Sequence, residues 1–135
     1  MLRSLALSLV FAIPVLANAK SILEPGETLT SERVLQSPNL CFTLSFKDKG
    51  NLVLSNRSGK MIWSTGTYNT NATQLYIDYG SNLRLQTSPN TPIGWQTNSK
   101  GAFGFLRLQN DGNLVIYSDS FVPLWHIGTA GAPCG

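Results

Sequence analysis

Five residues near the C-terminal end share one parity: Gln109, Asp111, Asn113, Val115 and Tyr117. On two strands joined by a tight turn that keeps register, that parity places all five on one face. Leu108, Leu114 and Ile116 then point the other way, toward a core. The face carries an amide, a carboxylate, a second amide, a methyl surface and a phenol. Asp111 can only accept hydrogen bonds, Gln109 and Asn113 donate and accept, and Tyr117 offers its O–H. Such a set complements a ring of adjacent hydroxyls around an apolar C–H patch, with Val115 under the patch. The plainer reading is a solvated strand face beside a turn.

The elements that must hold these residues are strands. Asn110-Asp111-Gly112 is a strong turn signal. Phe103, Phe105, Leu106 and Leu108 lead into it, and Leu114 and Ile116 alternate with polar or outward residues after it. A second turn, 118–122, leads to Pro123-Leu124-Trp125. The period is two, not 3.6, so the unit reads as three strands joined by short turns. It occurs three times, over 50–67, 81–99 and 112–129. Asn51, Asn82 and Asn113 are 31 apart, and Trp63, Trp95 and Trp125 are 32 and 30 apart. An earlier segment, 21–38, with Pro25-Gly26 and the apolar Val34-Leu35, offers the strands that would complete the set. A three-strand unit of this size cannot bury a face alone, but three around a common axis can. The repeated tryptophans are expected to be the buried central filling.

The segment 109–117, QNDGNLVIY, fits Q-x-D-x-N-x-V-x-Y, the sugar-binding signature of the bulb-type (monocot) mannose-binding lectins. The tryptophan-to-Gly-Thr repeat ends and the opening 23–29, LEPGETL, resemble that family too, over essentially all of residues 20–135. The resemblance implies an all-β fold, a β-prism of three four-stranded antiparallel sheets with pseudo-threefold symmetry. It implies mannose or high-mannose glycans as partners, and homo- or heterodimers that exchange C-terminal strands. It also implies roles: Asp111 and Asn113 on the axial 2-hydroxyl of mannose, Gln109 on the 3-hydroxyl, Tyr117 on the 4-hydroxyl. Four or five hydrogen bonds of about 0.5–1.5 kcal/mol net give roughly millimolar affinity for one sugar, so useful binding needs several sites.

The other two repeats depart from the motif. Aligned on Asn51, Lys47 replaces Gln109, Lys49 replaces Asp111 and Ser55 replaces Tyr117, while Val53 matches Val115. A lysine cannot accept a hydrogen bond. Aligned on Asn82, Asp78, Gly80, Arg84 and Gln86 stand at the other four positions. One sugar site per chain is therefore expected. The family's usual cysteine pair is also missing, with Gly50 and Thr73 in those places. Cys134 and the 124–128 run LWHIG resemble instead a taste-modifying member with degenerate sugar sites. A sugar-silent protein acting through protein contacts, in storage, taste modification or antifungal defence, is the competing function.

Composition narrows the classes. The chain has 135 residues, enough for one domain. Charged residues are only 13%, too few for a coiled coil, and 42% hydrophobic excludes a disordered tail. The net charge is +3, but only Lys47 and Lys49 lie close together, which argues against a nucleic-acid partner. A single histidine, His126, argues against multi-histidine metal sites and His-based triads, and no metal or cofactor is expected. Asp48, Asp78, Asp111 and Asp119, with three glutamates near the N-terminus, do not suggest the paired carboxylates of a glycosidase, so an enzyme is not expected.

Residues 1–19 read as a signal peptide, with Arg3 as the positive end, an apolar run over 5–16 and an Ala17-Asn18-Ala19 cleavage signal. The run is too short to span a bilayer, and nothing later is apolar enough. The lectin-like domain is then 20–135, on a secretory route to the outside or to a vacuole. In that compartment Cys41 and Cys134 are expected to be oxidised, within one chain or between two. Asn56 and Asn71 each begin an Asn-x-Ser/Thr sequon and are glycosylation candidates.

Overall fold

Alternation of period two produces twelve short strands. The structure, a computed structural model, describes residues 19–135. The expected signal peptide, apart from Ala19, lies outside the described residues. Three two- or three-residue strands come first: β1 (Ile22–Leu23), β2 (Thr28–Thr30) and β3 (Leu35–Gln36). The first repeat forms β4 (Phe42–Lys47), β5 (Asn51–Asn56) and β6 (Met61–Ser64). The second forms β7 (Gln74–Ile77), β8 (Leu83–Ser88) and β9 (Thr91–Gln96). The third forms β10 (Phe105–Leu108), β11 (Leu114–Tyr117) and β12 (Pro123–His126). Phe103 was expected in a strand, but it precedes β10 with a left-handed φ of 50°.

Each repeat takes one early strand as its fourth. The sheet orders are β3-β4-β5-β6, β2-β7-β8-β9 and β1-β10-β11-β12, with antiparallel pairing throughout. This is the β-prism: three four-stranded antiparallel sheets about a pseudo-threefold axis. The 21–38 segment visits the three sheets in turn, leaving one leucine in each, Leu35, Leu29 and Leu23, all nearly inaccessible. Each sheet adds four more: Phe42, Leu44, Leu52 and Leu54; Leu75, Ile77, Leu83 and Leu85; Leu106, Leu108, Leu114 and Ile116. Fully burying one such side chain contributes about 1.5–3 kcal/mol, so the merged faces hold the fold where one face could not.

The tryptophans do converge on the axis. Their rings meet pairwise, edge to face, with centroids 6.3, 6.4 and 6.2 Å apart. They are half-buried rather than enclosed. The reason is topological: β6, β9 and β12 are outer strands, with a neighbour on one side only. The threefold ring contact, at about 0.5–1.5 kcal/mol per pair, closes the centre all the same.

The cysteine ambiguity is resolved within the chain. Cys41 and Cys134 form a disulfide, Cα atoms 4.9 Å apart, across 93 positions. It ties the segment after β12 to the entry of β4. Among the described residues no helix is long and apolar enough to cross a membrane.

Candidate functional site

The motif residues gather at the turn 109–113 and along β11. Gln109 N donates to Asn113 O (2.9 Å) and Gly112 N to Gln109 O (3.0 Å), closing the turn. Gly112 is left-handed, φ 89°, and a Cβ there would sit 2.9 Å from the Phe42 ring and 3.0 Å from Ala132 Cβ. Only glycine fits that position.

A continuous chain of hydrogen bonds runs through the site. Tyr117 Oη donates to Gln109 Oε1. Gln109 Nε2 donates to both Asp111 carboxylate oxygens, at 3.1 and 3.2 Å. Asp111 Oδ1 also accepts Asn113 N at 2.9 Å. These side chains are thus oriented before any ligand arrives, which lowers the ordering cost of binding. Asp111 is exposed, while Gln109 and Tyr117 are half-buried. Gln109 and Asp111, but not Tyr117, line a shallow depression of about 370 Å³ together with Pro38, Arg107 and Asn110.

The expected exposed row differs at two places. Val115 is only 4% exposed and Asn113 only 9%. Val115 is flanked in register by Arg107 on β10 and His126 on β12, which crowd it from both sides. Asn113 is buried by its own bonding. Its Oδ1 accepts Gly128 N (3.1 Å), Thr129 N (3.3 Å) and Leu114 N (3.1 Å), so that oxygen is committed to the fold. Its Nδ2 lies 3.3 Å from His126 Nδ1.

The same anchor recurs in every repeat. Asn51 Oδ1 accepts Thr67 N at 3.1 Å, and Asn82 Oδ1 accepts Asn98 N at 2.8 Å. A hydroxyl next to the anchored turn donates back each time: Thr67 to Gly50 O, Ser99 to Ser81 O and Thr129 to Gly112 O, all 2.6 Å. The repeating asparagine is therefore structural first.

The equivalent faces of the other sheets lack the row. Lys47 and Lys49 are exposed, and Asp48 and Lys49 turn left-handed, φ 49° and 56°, which positions 110 and 111 do not. In the second repeat the Asp78 carboxylate folds into its own turn, accepting Gly80 N (3.0 Å) and Asn82 N (2.9 Å). Asn82 Nδ2 donates to Gln96 Oε1 at 2.9 Å, and Gln86 Nε2 to Gln74 Oε1 at 2.9 Å. Arg84 lies over the Tyr76 ring, 4.9 Å from its centroid, where the third repeat has Val115.

Sequence reasoning missed three neighbours. Arg107 has the parity of Gln109, and His126 lies opposite Val115, so parity was a usable signal for both. Asn39 had none: its backbone N donates to Asn110 Oδ1 at 2.8 Å across 71 positions. The sequons also differ. Asn71 is exposed. Asn56 is 7% exposed, its Nδ2 donates to Pro133 O (3.1 Å), and its Oδ1 accepts Ser58 N and Lys60 N.

The three-sheet prism with one polar row at a hairpin defines a lectin architecture, and solved structures bear the same fold. A Japanese Marasmius oreades lectin superposes with TM-score 0.76 at 25% identity, over 86% of this chain and 97% of that one. A monomeric mannose-binding lectin from Gastrodia elata gives 0.71 at 27%, over 82% and 99%. The mannose-specific agglutinin of snowdrop, Galanthus nivalis, solved with methyl-α-D-mannoside, gives 0.64 at 33%, over 82% and 97%. No family model and no curated protein matches the sequence. At that identity and coverage, the chain belongs to the bulb-type mannose-binding lectins.

Proposed function

We propose that this chain is a secreted lectin that binds mannose or mannose-containing glycans through one site, Gln109, Asp111, Asn113, Val115 and Tyr117. The observation that carries this reading is the ordered relay Tyr117–Gln109–Asp111 on the third sheet, with no counterpart on the other two. Asp111 Oδ2, Asn113 Nδ2 and the Tyr117 hydroxyl face adjacent sugar hydroxyls, and Val115 supplies a narrow apolar floor between them. Calorimetry with methyl α-mannoside tests it. The wild type is expected to bind one equivalent at roughly millimolar Kd. Asp111→Asn is expected to weaken that at least about tenfold, since a charge-assisted acceptor is lost. A wild type that gives no heat with mannosides would overturn the reading.

Secretion follows from the leader: the mature chain starts at Lys20, as N-terminal sequencing of the secreted protein would read. The glycan acceptor is Asn71, so a glycosidase-sensitive mass shift should vanish in Asn71→Gln and persist in Asn56→Gln. A dimer that exchanges β12 would carry Cys134 to the partner and make the disulfide interchain. The pairing of β12 with its own β11 and of Cys134 with its own Cys41 supports the unexchanged form. A non-reducing gel separates them: a monomer band expected, a dimer band against.

A further inference from the structure

The turn between the second and third strands of a repeat needs one left-handed residue. In the first repeat, Gly59 N donates to Asn56 O and Asn56 N to Lys60 O, 2.9 Å each. In the third, Phe121 N donates to Ser118 O and Ser118 N to Val122 O, again 2.9 Å. The left-handed residue is Gly59 (φ 87°) in the first, Asn90 (64°) in the second and Phe121 (62°) in the third. Glycine and asparagine are what such a position selects; a bulky aromatic there is strained. Burial does not offset the strain, because Phe121 is 68% exposed.

What Phe121 does have is a connection to the row. Its ring meets Phe105 edge-on at 5.7 Å. Phe105 in turn stacks on Tyr117, centroids 5.8 Å apart and planes 30° from parallel. Three rings thus run from the phenol of the site out to the turn. The turn is held firm: buried Ser118 accepts Ser120 N and Val122 N on its Oγ, 3.2 Å each. Among the three equivalent turns, a left-handed, exposed aromatic occurs only in the repeat that carries the intact motif.

We propose that Phe121, supported by Phe105, forms a second subsite that takes the pyranose joined to the sugar in the row, stacking under its C–H face. This rests on the proposed function and extends it from a monosaccharide to a mannose-terminated oligosaccharide. An aromatic platform suits a pyranose, which presents apolar C–H groups on one side and hydroxyls at its edge. The other exposed pair, Tyr79 and Phe103, is a control: Tyr79 packs against Gly26 and Phe103, and neither ring meets an aromatic of the row.

The test is calorimetry of the disulfide-intact chain with methyl α-mannoside and with an α-linked mannobiose. Wild type and Phe103→Asn are expected to prefer the disaccharide by about tenfold. Phe121→Asn, which copies Asn90, is expected to cut that preference to about twofold or less while raising Tm, because the strain is relieved. Equal affinity for the two sugars in the wild type, or an undiminished preference in Phe121→Asn, overturns the subsite while leaving the mannose site standing. No response to either sugar overturns both. A dimer in sedimentation that needs Phe121, with sugar preference indifferent to it, would assign the ring to a second copy and overturn the subsite.

Discussion

Turns 47–51 and 109–113 sit at matching places in the first and third sheets, and they share an asparagine anchor and a following valine. One carries two exposed lysines and two left-handed residues; the other carries an amide and a carboxylate bonded to each other and to a phenol. The second sheet differs again, with its carboxylate folded inward and an arginine across its face. The lesson is that two kinds of residue are superposed in one motif. The asparagine, held by backbone N–H groups in all three sheets, belongs to the prism. Gln109, Asp111 and Tyr117 bond mainly to one another, with one further bond from Asn113 N to Asp111, and these are the positions at which the three sheets differ.

The braces of the three turns differ in the same way. Lys49 O accepts Asn71 N (2.8 Å) and Gly80 O accepts Gly101 N (3.1 Å), from chain that goes on into the next sheet. Asp111 O accepts Gly131 N (2.8 Å), from a segment followed by no further strand among the described residues. There the Cys41–Cys134 disulfide does what chain continuity does elsewhere, holding Ala132 against Gly112.

Cutting the third brace should give the largest effect. Cys41→Ser with Cys134→Ser should cost about 2–5 kcal/mol of stability and lower Tm by roughly 10 °C or more. Methyl α-mannoside affinity should fall with it, measured well below the new Tm; an unchanged affinity would show that the segment does not position the site. Next comes copying the first repeat into the third. Asp111→Lys should abolish detectable mannoside binding, a loss of about 1.5–3 kcal/mol, with little change in chemical denaturation. Retained binding would break the distinction between the sheets.

The shared anchor predicts the reverse pattern. Asn51→Ala and Asn82→Ala should each destabilise by about 0.5–1.5 kcal/mol, read from urea unfolding, because the turn N–H groups of Thr67 and Asn98 lose their acceptor. Mannoside affinity should not move; a change there would make these sheets part of the site. The smallest free-energy change is a gain. Lys47→Gln, Asp48→Asn, Lys49→Asp and Ser55→Tyr together rebuild the motif on the first sheet. Calorimetric stoichiometry should rise from one to two, at similar affinity. A stoichiometry that stays at one would assign the site to its long-range support by Asn39 rather than to the motif.

Most of the fold was legible because alternation of period two and a threefold repeat leave few ways to bury a face. The candidate row was legible for a related reason: residues of one parity across a tight turn must share a face. What was misread came from neighbours that parity along one strand cannot show. Val115 and Asn113 look exposed by alternation, yet Arg107, His126 and the turn 127–129 cover them from adjacent strands and loops. The tryptophans look buried by type, yet they ride on sheet edges.

The sequence by itself determined the strands, the three-sheet prism, the family and the one repeat in which a matching donor and acceptor set survives. The strands and the threefold repeat depend on local pattern, that is, side-chain period, turn residues and spacing; the prism and the family followed from the resemblance carried by 109–117. Only the tertiary structure decided that the disulfide closes within the chain, that Asn113 Oδ1 serves the fold, that Asn56 is buried, and that an aromatic run leads from Tyr117 to Phe121. The disulfide and the burial of Asn56 depend on distant segments, which meet when three sheets pack about one axis. The other two are contacts between neighbouring strands and turns of the third repeat, which alternation along a single strand does not pair.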